Sequence, residues 1–182
     1  MKFQKYHCLG NDYLILDPQS TELTNKDIQP ELVRRICDRN FGLGADGILV
    51  GDIKNNNGLF SLIIFNSDGS TAEKSGNGLR IFARSLWDRK IIDNKAFKIK
   101  TLGGTVEAQV SSFDNNVNIE MGEVSFLSNK IPMTGELREV INETLEINDE
   151  KLKICAANIG NPHCIVLDRN ISAAETRRLG PL

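Results

Sequence analysis

The chain has 182 residues, of which 40% are hydrophobic and 25% are charged, and its formal net charge is −2. This composition predicts one large or two small globular domains, and it argues against a nucleic-acid partner because no basic stripe is present. No apolar run approaches the roughly 20 residues that span a bilayer, and the N-terminal sequence MKFQKYHCLGND lacks an apolar signal-peptide core. We therefore expect a cytoplasmic protein without a membrane partner.

The cysteines have no spacing typical of a metal site. They are Cys8, Cys37, Cys155 and Cys164. None belongs to a CxxC pair, and only two histidines could add imidazole ligands, so no zinc site is predicted. In a reducing compartment we expect these thiols to stay free rather than form disulfides.

The first third of the sequence alternates short strands with a helix. The segments FQKYHCL and YLILD read as strands around a break at Gly10-Asn11-Asp12. A helix is predicted to begin near Thr24, to be interrupted or restarted at Pro30, and to end at Gly42. Its buried stripe comprises Leu32, Val33, Ile36 and Cys37. The segments GILVGDI and LFSLIIF are predicted to be buried strands, and the run from Asn55 to Gly58 between them is a turn signal.

The clearest helix covers Leu79–Arg89, where apolar residues recur at i, i+3, i+4, i+7 and i+8. Its apolar face is wide and aromatic, so we expect a central helix wrapped by strands. The segments FKIKTL, TVEAQV and NVNIEM, with Gly103-Gly104 between the first two, predict a β-meander containing a glycine hairpin.

The pattern weakens between Gly122 and Thr134, which places a predicted boundary between residues 1–121 and residues 122–182. Beyond it, KLKICAANIG and HCIVL read as strands. The S-x-x-E pattern from Ser172 to Glu175 is a capping box that opens a short helix. Because the sequence stops directly after that helix, we expect the second unit to be incomplete.

Five short loops combine glycine with an amide or a carboxylate. They are Leu9–Asp12, Gly42–Gly47, Asn66–Gly69, Ser75–Gly78 and Gly160–His163. Glycine lets a ligand approach the main chain, and asparagine offers a donor and an acceptor, so the set suits a small zwitterion. Taken singly, each loop is also an ordinary turn, Ser75 also fits a helix N-cap, and His163 also fits a surface histidine.

The stretch Gly76-Asn77-Gly78 lies where the central helix is expected to start. The first N–H groups of a helix have no internal partner, and together with the helix dipole they form an anion site. A substrate carboxylate, or an enolate-like oxygen that develops during reaction, would be stabilised there.

The order of the motifs resembles that of the diaminopimelate epimerase family over nearly the whole chain. The matching segments are KYHCLGNDYLILD, RNFGLGADGILV, FNSDGSTAEKSGNGLRIFAR, TLGGTVEA and NIGNPHCIVL. The resemblance implies an α/β (α+β) fold of two similar units, each a curved, mixed or mostly antiparallel sheet around a central helix. It also implies interconversion of LL- and meso-diaminopimelate in lysine and cell-wall precursor synthesis, by two cysteines, without pyridoxal phosphate or another cofactor, in a homodimer.

The resemblance also implies roles for individual residues. The positions that match substrate contacts are Asn11, Asn66, Gly76, Asn77 and Asn161. His163 matches a histidine that supports proton transfer, and Ser75 occupies the position of the first catalytic cysteine. Gly47 stands where some members have a glutamine and others a glycine.

The second catalytic cysteine of the family has no counterpart here. The family normally carries it in a Gly-Thr-Gly loop beyond the position of Leu182, and neither Cys155 nor Cys164 fits that loop. We therefore expect this polypeptide alone to show no two-base epimerisation.

The serine at position 75 leaves three interpretations open. A serine hydroxyl is hardly ionised at neutral pH, and a helix N-terminus supplies only about 0.5–2 kcal/mol, so serine alone is a poor general base. The chain is then an epimerase with a substituted residue, or a related cofactor-independent racemase or isomerase with another base, such as a histidine racemase or the phenazine-pathway isomerase. The third interpretation is a non-catalytic amino-acid-binding module.

Overall fold

The structure is a computed structural model that describes residues 2–16, 28–56, 58–113 and 116–181, without the side chains of 53–56. Its contacts divide the chain into two compact units, Met1–Gly122 and Glu123–Leu182. That these units correspond to two epimerase-like domains, as the sequence predicts, stays a prediction.

The first unit is a mixed sheet with two helices. Its strands are β1 (Phe3–Cys8), β2 (Asn11–Leu16), β3 (Gly47–Asn56), β4 (Leu59–Asn66), β5 (Thr71–Ala72), β6 (Phe97–Thr101), β7 (Gly104–Val110) and β8 (Val117–Glu120), and its helices are α1 (Pro30–Cys37) and α2 (Gly76–Asp88). The strand order is β1-β2-β3-β4-β6-β7-β8, and β5 pairs with β4. The β2–β3 and β4–β6 pairs are parallel, and the other pairs are antiparallel.

Helix α2 is the centre of the main core. Its buried side chains are those of Leu79, Ile81, Phe82, Ala83, Ser85 and Leu86. Tyr6 and Cys8 of β1 pack against this core, and so do Val117 and Ile119 of β8 at the opposite end of the strand order. The sheet therefore curls around α2, which confirms the predicted central helix and mixed sheet for this unit.

Helix α1 covers a second core formed with residues of β2, β3 and β4. The predicted start near Thr24 lies outside the described residues. The predicted end at Gly42 is wrong, because the helix ends at Cys37. The Asp38 carboxylate accepts the N–H groups of Asn40 and Phe41 at 2.8 and 2.7 Å, and these bonds turn the backbone out of the helix.

Most other strand predictions of the first unit are confirmed. The meander β6–β7–β8 pairs in antiparallel order as expected. Strand β3 continues to Asn56, so the predicted turn is shorter than the asparagine run, and Asn57 lies outside the described residues. The two-residue strand β5 was not predicted, because two residues give no periodicity.

The second unit contains a three-stranded antiparallel sheet. Its elements are β9 (Glu143–Ile147), β10 (Glu150–Asn158), β11 (Pro162–Val166) and α3 (Ala173–Leu179), in the sheet order β11-β10-β9. Strand β9 and a 3-10 turn at Ser128–Lys130 were not predicted. The small core comprises Ile131, Val140, Ile154 and Ala156.

Helix α3 begins where the capping-box pattern predicts, because the Ser172 hydroxyl accepts the Glu175 N–H at 3.1 Å, but among the described residues the Glu175 side chain makes no return bond to the Ser172 N–H. The Glu175 carboxylate bonds to Arg178. The helix buries none of its residues, so it is not a central helix of the kind seen in the first unit. Among the described residues, no helix is long and apolar enough to cross a membrane.

Candidate active site

The start of α2 presents two backbone donors. Ser75 is the N-cap: its extended backbone leaves its hydroxyl to accept the Gly78 N–H at 3.0 Å, while its carbonyl accepts the Leu79 N–H at 2.8 Å. The N–H groups of Gly76 and Asn77 have no hydrogen-bond acceptor among the described residues. Both residues are half-buried, so neither is sealed inside the core. This geometry is that of a helix-terminus anion site.

A chain of side-chain amides lies beside these donors. The Asn77 amide donates to the Asn11 carbonyl oxygen at 3.4 Å, and the Asn11 amide donates to the Asp46 carboxylate at 2.9 Å. Parallel pairing of β2 with β3 makes this possible, because it sets the Asp46 carboxylate against the start of β2. Asp46 thereby fixes the orientation of the Asn11 amide. The side-chain oxygen (Oδ1) of Asn77 has no hydrogen-bond partner in the described chain and remains available as an acceptor.

An ion network holds Asp46 and its neighbour Asp12. Arg39 bonds to the Asp12 carboxylate at 2.7 Å and to the Asp46 carboxylate at 2.8 Å, and Lys5 lies 3.0 Å from Asp12. The hydrogen bonds from Arg39, reinforced by Lys5, hold the pKa of Asp12 well below its usual range. The loop before β3 is therefore fixed to the β1–β2 hairpin by these ion pairs.

Asn66 lies at the end of β4 and shapes a tight turn. Its side-chain amide donates to the Ser70 hydroxyl at 3.0 Å, and its backbone N–H donates to the Ser70 carbonyl at 2.8 Å. The next residue, Ser67, donates its N–H to the Asp46 carbonyl at 3.0 Å. The hydrogen bonds of Asn66 thus stay within its own turn, and it is the neighbouring Ser67 that connects this turn to Asp46.

The Ser75 hydroxyl has a second neighbour that the sequence analysis missed. The Tyr13 hydroxyl lies 3.5 Å from the Ser75 Oγ atom, and Tyr13 is only 5% exposed. Tyr13 pairs with Gly47 across the β2–β3 ladder. A Cβ atom on Gly47 would lie 2.7 Å from the Tyr13 ring and 2.2 Å from the Phe65 carbonyl oxygen. Any side chain at position 47 would therefore displace the Tyr13 ring or the backbone beside it.

The remaining predicted site residues belong to the second unit. His163 is exposed, and its Nε2 atom lies 3.1 Å from the side-chain oxygen of half-buried Asn161. Gly160 holds the loop before them with a φ of 97°, and its N–H donates to the Asn158 side chain at 2.7 Å. The structure thus brings Asn161 and His163 together, and in the first unit it brings together Asn11, Ser75 and Asn77.

The cysteines lie in different environments and are all free thiols. Burial, followed by the charge of Asp12, raises the pKa of the Cys37 thiol to about 11, so this side chain is an inert part of the core.

Within the described ranges, no group of three histidine, cysteine or acidic side chains could hold a metal ion. A recess of about 350 Å³ in the second unit has mostly apolar walls and involves none of the predicted site residues.

The family follows from comparison with known proteins. The family model described as diaminopimelate epimerase matches residues 3–127. The chain belongs to the diaminopimelate epimerase family. A relative named diaminopimelate epimerase 2, from Nostoc sp., is 50% identical over 182 residues, which cover 100% of this chain and 63% of the relative. A diaminopimelate epimerase from Methanothermobacter thermautotrophicus is 36% identical, with 98% of this chain and 64% of the relative covered.

Solved structures support the same fold. A hydroxyproline epimerase from Agrobacterium vitis superposes with a TM-score of 0.65 over 98% of this chain and 52% of that protein, at 14% sequence identity. A phenazine biosynthesis protein of the PhzF family from Bacillus anthracis gives a TM-score of 0.53 at 18% identity, over 90% of this chain and 53% of that protein. The chain spans less than two thirds of the length of the two curated relatives described above.

Asp46 and Tyr13 are the residues that the sequence analysis did not assign to the site. Asp46 belongs to the GLGADG loop and could have been found as a carboxylate in a glycine-rich segment. Tyr13 lies inside an apolar strand, where a tyrosine normally indicates core packing. Only the parallel β2–β3 pairing and the position of α2 reveal that its hydroxyl reaches Ser75.

Proposed function

We propose that the protein is a diaminopimelate epimerase that interconverts LL- and meso-diaminopimelate without pyridoxal phosphate, for lysine and cell-wall precursor synthesis. Membership of the family and 50% identity to the Nostoc relative support the substrate class. The observation that carries the proposal is the pair of N–H groups at Gly76 and Asn77 that have no acceptor among the described residues, next to the Asn11–Asn77 amide chain. A homodimer and a cytoplasmic location remain predictions.

The site suits the amino-acid end of such a substrate. Its α-carboxylate would accept hydrogen bonds from the Gly76 and Asn77 N–H groups, where the helix dipole favours negative charge. The side-chain oxygen (Oδ1) of Asn77 would accept a hydrogen bond from the ammonium group. This pose would place the α-carbon beside residue 75, and negative charge that develops on removal of the α-proton would be stabilised by the same backbone donors.

Serine at position 75 favours a second candidate, an amino-acid-binding module without turnover. The Ser75 hydroxyl is engaged as an N-cap, and a hydroxyl is a far weaker base than a thiolate at neutral pH. In this alternative the same donors hold the amino acid, but no proton is removed. Substrate binding is common to both candidates, so only proton exchange separates them.

Calorimetry with LL-diaminopimelate, together with deuterium uptake at its α-carbon in D₂O, tests the proposal. We expect binding to the chain and to its Ser75→Cys variant, and deuterium uptake only when the Ser75→Cys variant is joined to the part of the Nostoc relative that this chain does not cover. Asn77→Ala should weaken binding about tenfold or more, because it removes the acceptor for the ammonium group, whereas Asn118→Ala, at an exposed asparagine on β8, should not. Binding without uptake in all of these forms would favour the binding module, and no binding at all would contradict both candidates.

A further inference from the structure

The hydrogen-bond partners of Ser75 decide what its hydroxyl can do. The Ser75 Oγ atom accepts the Gly78 N–H at 3.0 Å, which occupies one of its two lone pairs. The Tyr13 hydroxyl at 3.5 Å is its other neighbour, and in the described chain neither hydroxyl has a further partner. A separation of 3.5 Å is long for two hydroxyls, and whichever of them donates across it determines where the Ser75 proton points.

Burial selects one direction for this bond. If Ser75 donated to Tyr13, the phenol proton would be left without an acceptor on a residue that is only 5% exposed. An unsatisfied buried donor is strongly unfavourable. If Tyr13 donates instead, both lone pairs of Ser75 are used and its proton is left free on a half-buried residue, where water or a ligand can accept it.

We propose that Tyr13 is a positioning residue that fixes the Ser75 hydroxyl as a hydrogen-bond donor towards the start of α2. Ser75 then joins the N–H groups of Gly76 and Asn77 as a third donor to one anionic group. Gly47 belongs to this arrangement, because a side chain there would displace the Tyr13 ring. Only the identity of the anion, the carboxylate or enolate-like oxygen of an amino acid, rests on the proposed function.

A thiol at position 75 reports on this donation without any turnover. In a Ser75→Cys variant, a donating phenol stabilises the thiolate and so lowers the pKa of the new thiol. The measurement is the pH dependence of iodoacetamide alkylation at the introduced thiol. Mass spectrometry of the peptide that contains position 75 follows the reaction, so that the four natural cysteines do not interfere.

The comparison is between Ser75→Cys alone, Ser75→Cys with Tyr13→Phe, and Ser75→Cys with Tyr6→Phe. Tyr6 is the matched control, because it is the only other tyrosine and its hydroxyl bonds to Asp88 at 3.1 Å. We expect Tyr13→Phe to slow alkylation near neutral pH about tenfold, since one pKa unit changes the thiolate fraction tenfold. Tyr6→Phe should leave it unchanged, and equal alkylation profiles in all three proteins would overturn the proposal.

A second measurement leaves both Tyr13 and Ser75 unchanged. In the Tyr6→Phe protein, Tyr13 is the sole tyrosine, and the ratio of its Raman Fermi doublet distinguishes a donating phenol from an accepting one. A donor signature supports the proposal, and an acceptor signature overturns it. If the thiol and Raman results support Tyr13 while LL-diaminopimelate does not bind, the proposed function fails and the role of Tyr13 stands.

Discussion

At the scale of single residues, glycine creates the space in which the site is built. Gly47 lies opposite Tyr13 in the β2–β3 ladder, and its missing side chain lets the Tyr13 ring and the Phe65 carbonyl approach. Gly76 has a different role, because a Cβ atom there would meet only the flexible end of Arg80, at 3.2 Å. A methyl group added at Gly47 should therefore lower the free energy of unfolding more than one added at Gly76.

We expect Gly47→Ala to lower the free energy of unfolding by about 1–3 kcal/mol, because the new methyl group overpacks against the Tyr13 ring and a backbone carbonyl. Gly76→Ala is the matched control and should leave stability unchanged or raise it by up to about 1 kcal/mol, since alanine favours a helix. Urea unfolding of the three proteins measures the difference. Equal stability of Gly47→Ala and the parent chain would show that the ladder relaxes around the methyl group.

At the scale of elements, the packing of β3 against α2 depends on one close approach. A Cβ atom on Gly51 of β3 would lie 2.1 Å from the ring of Phe82, and Phe82 is only 1% exposed. The buried ring is enclosed by the core and cannot turn away into solvent. Gly51 and Phe82 are therefore a coupled pair that sets the distance between sheet and helix.

A double-mutant cycle tests this coupling. We expect Gly51→Ala to cost about 1–3 kcal/mol in the parent chain and much less in a Phe82→Leu background, where the ring atoms nearest the new methyl group are absent. Chemical denaturation of the four proteins yields the interaction energy. If Gly51→Ala lowered the free energy of unfolding equally in both backgrounds, the new methyl group would clash with a residue other than Phe82.

Helix α1 makes the free energy of unfolding depend on pH through Cys37. This side chain is 3% exposed, and burial raises the pKa of its thiol to about 11. The thiol of the unfolded chain loses its proton near pH 8.5, whereas the folded chain keeps it, so stability is full below about pH 8.5 and falls as the pH rises through about 11. A gap of about two pKa units corresponds to about 2–3 kcal/mol.

Removal of the thiol tests this linkage. We expect Cys37→Ala to lose stability at neutral pH, because it leaves a small cavity, and to show a shallower decline than the parent chain above about pH 9. Cys164→Ala, at an exposed cysteine, serves as the control and should follow the parent curve. Unfolding free energies measured between about pH 7 and 11 would contradict the assignment if Cys37→Ala and the parent chain declined in parallel.

The sequence analysis predicted those elements in which the repeat of apolar residues extends over enough positions to be recognised. The stripe from Leu79 to Trp87 identified α2 and its central place, and the alternating segments identified the β6–β7–β8 meander. Two-residue β5 and weakly apolar β9 gave no such signal. The end of α1 was misplaced because a side-chain turn at Asp38, rather than the glycine at position 42, ends the helix.

The candidate site was only partly predictable for a related reason. Loop composition and the family motifs indicated Asn11, Ser75 and Asn77, because these residues are adjacent to turns in the sequence. The contacts made by Asp46 and Tyr13 depend on the parallel pairing of β2 with β3, two strands that α1 separates in the sequence. Such pairing leaves no local trace in the sequence.

At the scale of the whole molecule, the cores of the two units differ greatly in size. The first unit contains both clusters around α1 and α2, with fully buried aromatic side chains such as Phe60 and Phe82. The second unit has a single small cluster around Val140 and Ile154, and its helix α3 buries no residue. A small unit removes a smaller fraction of its surface from water, so its stability when isolated is marginal.

This difference predicts how the two fragments behave when they are produced separately. We expect residues 1–122 to fold alone, with dispersed amide NMR signals and a cooperative urea transition, because every side chain of both larger cores is retained. Residues 123–182 should show neither feature, since burial of Ile131, Val140, Ile154 and Ala156 cannot offset the entropy of ordering the fragment. A folded 123–182 fragment beside an unfolded 1–122 fragment would reverse this assignment of stability. Failure of both would mean that neither core is sufficient without the other unit.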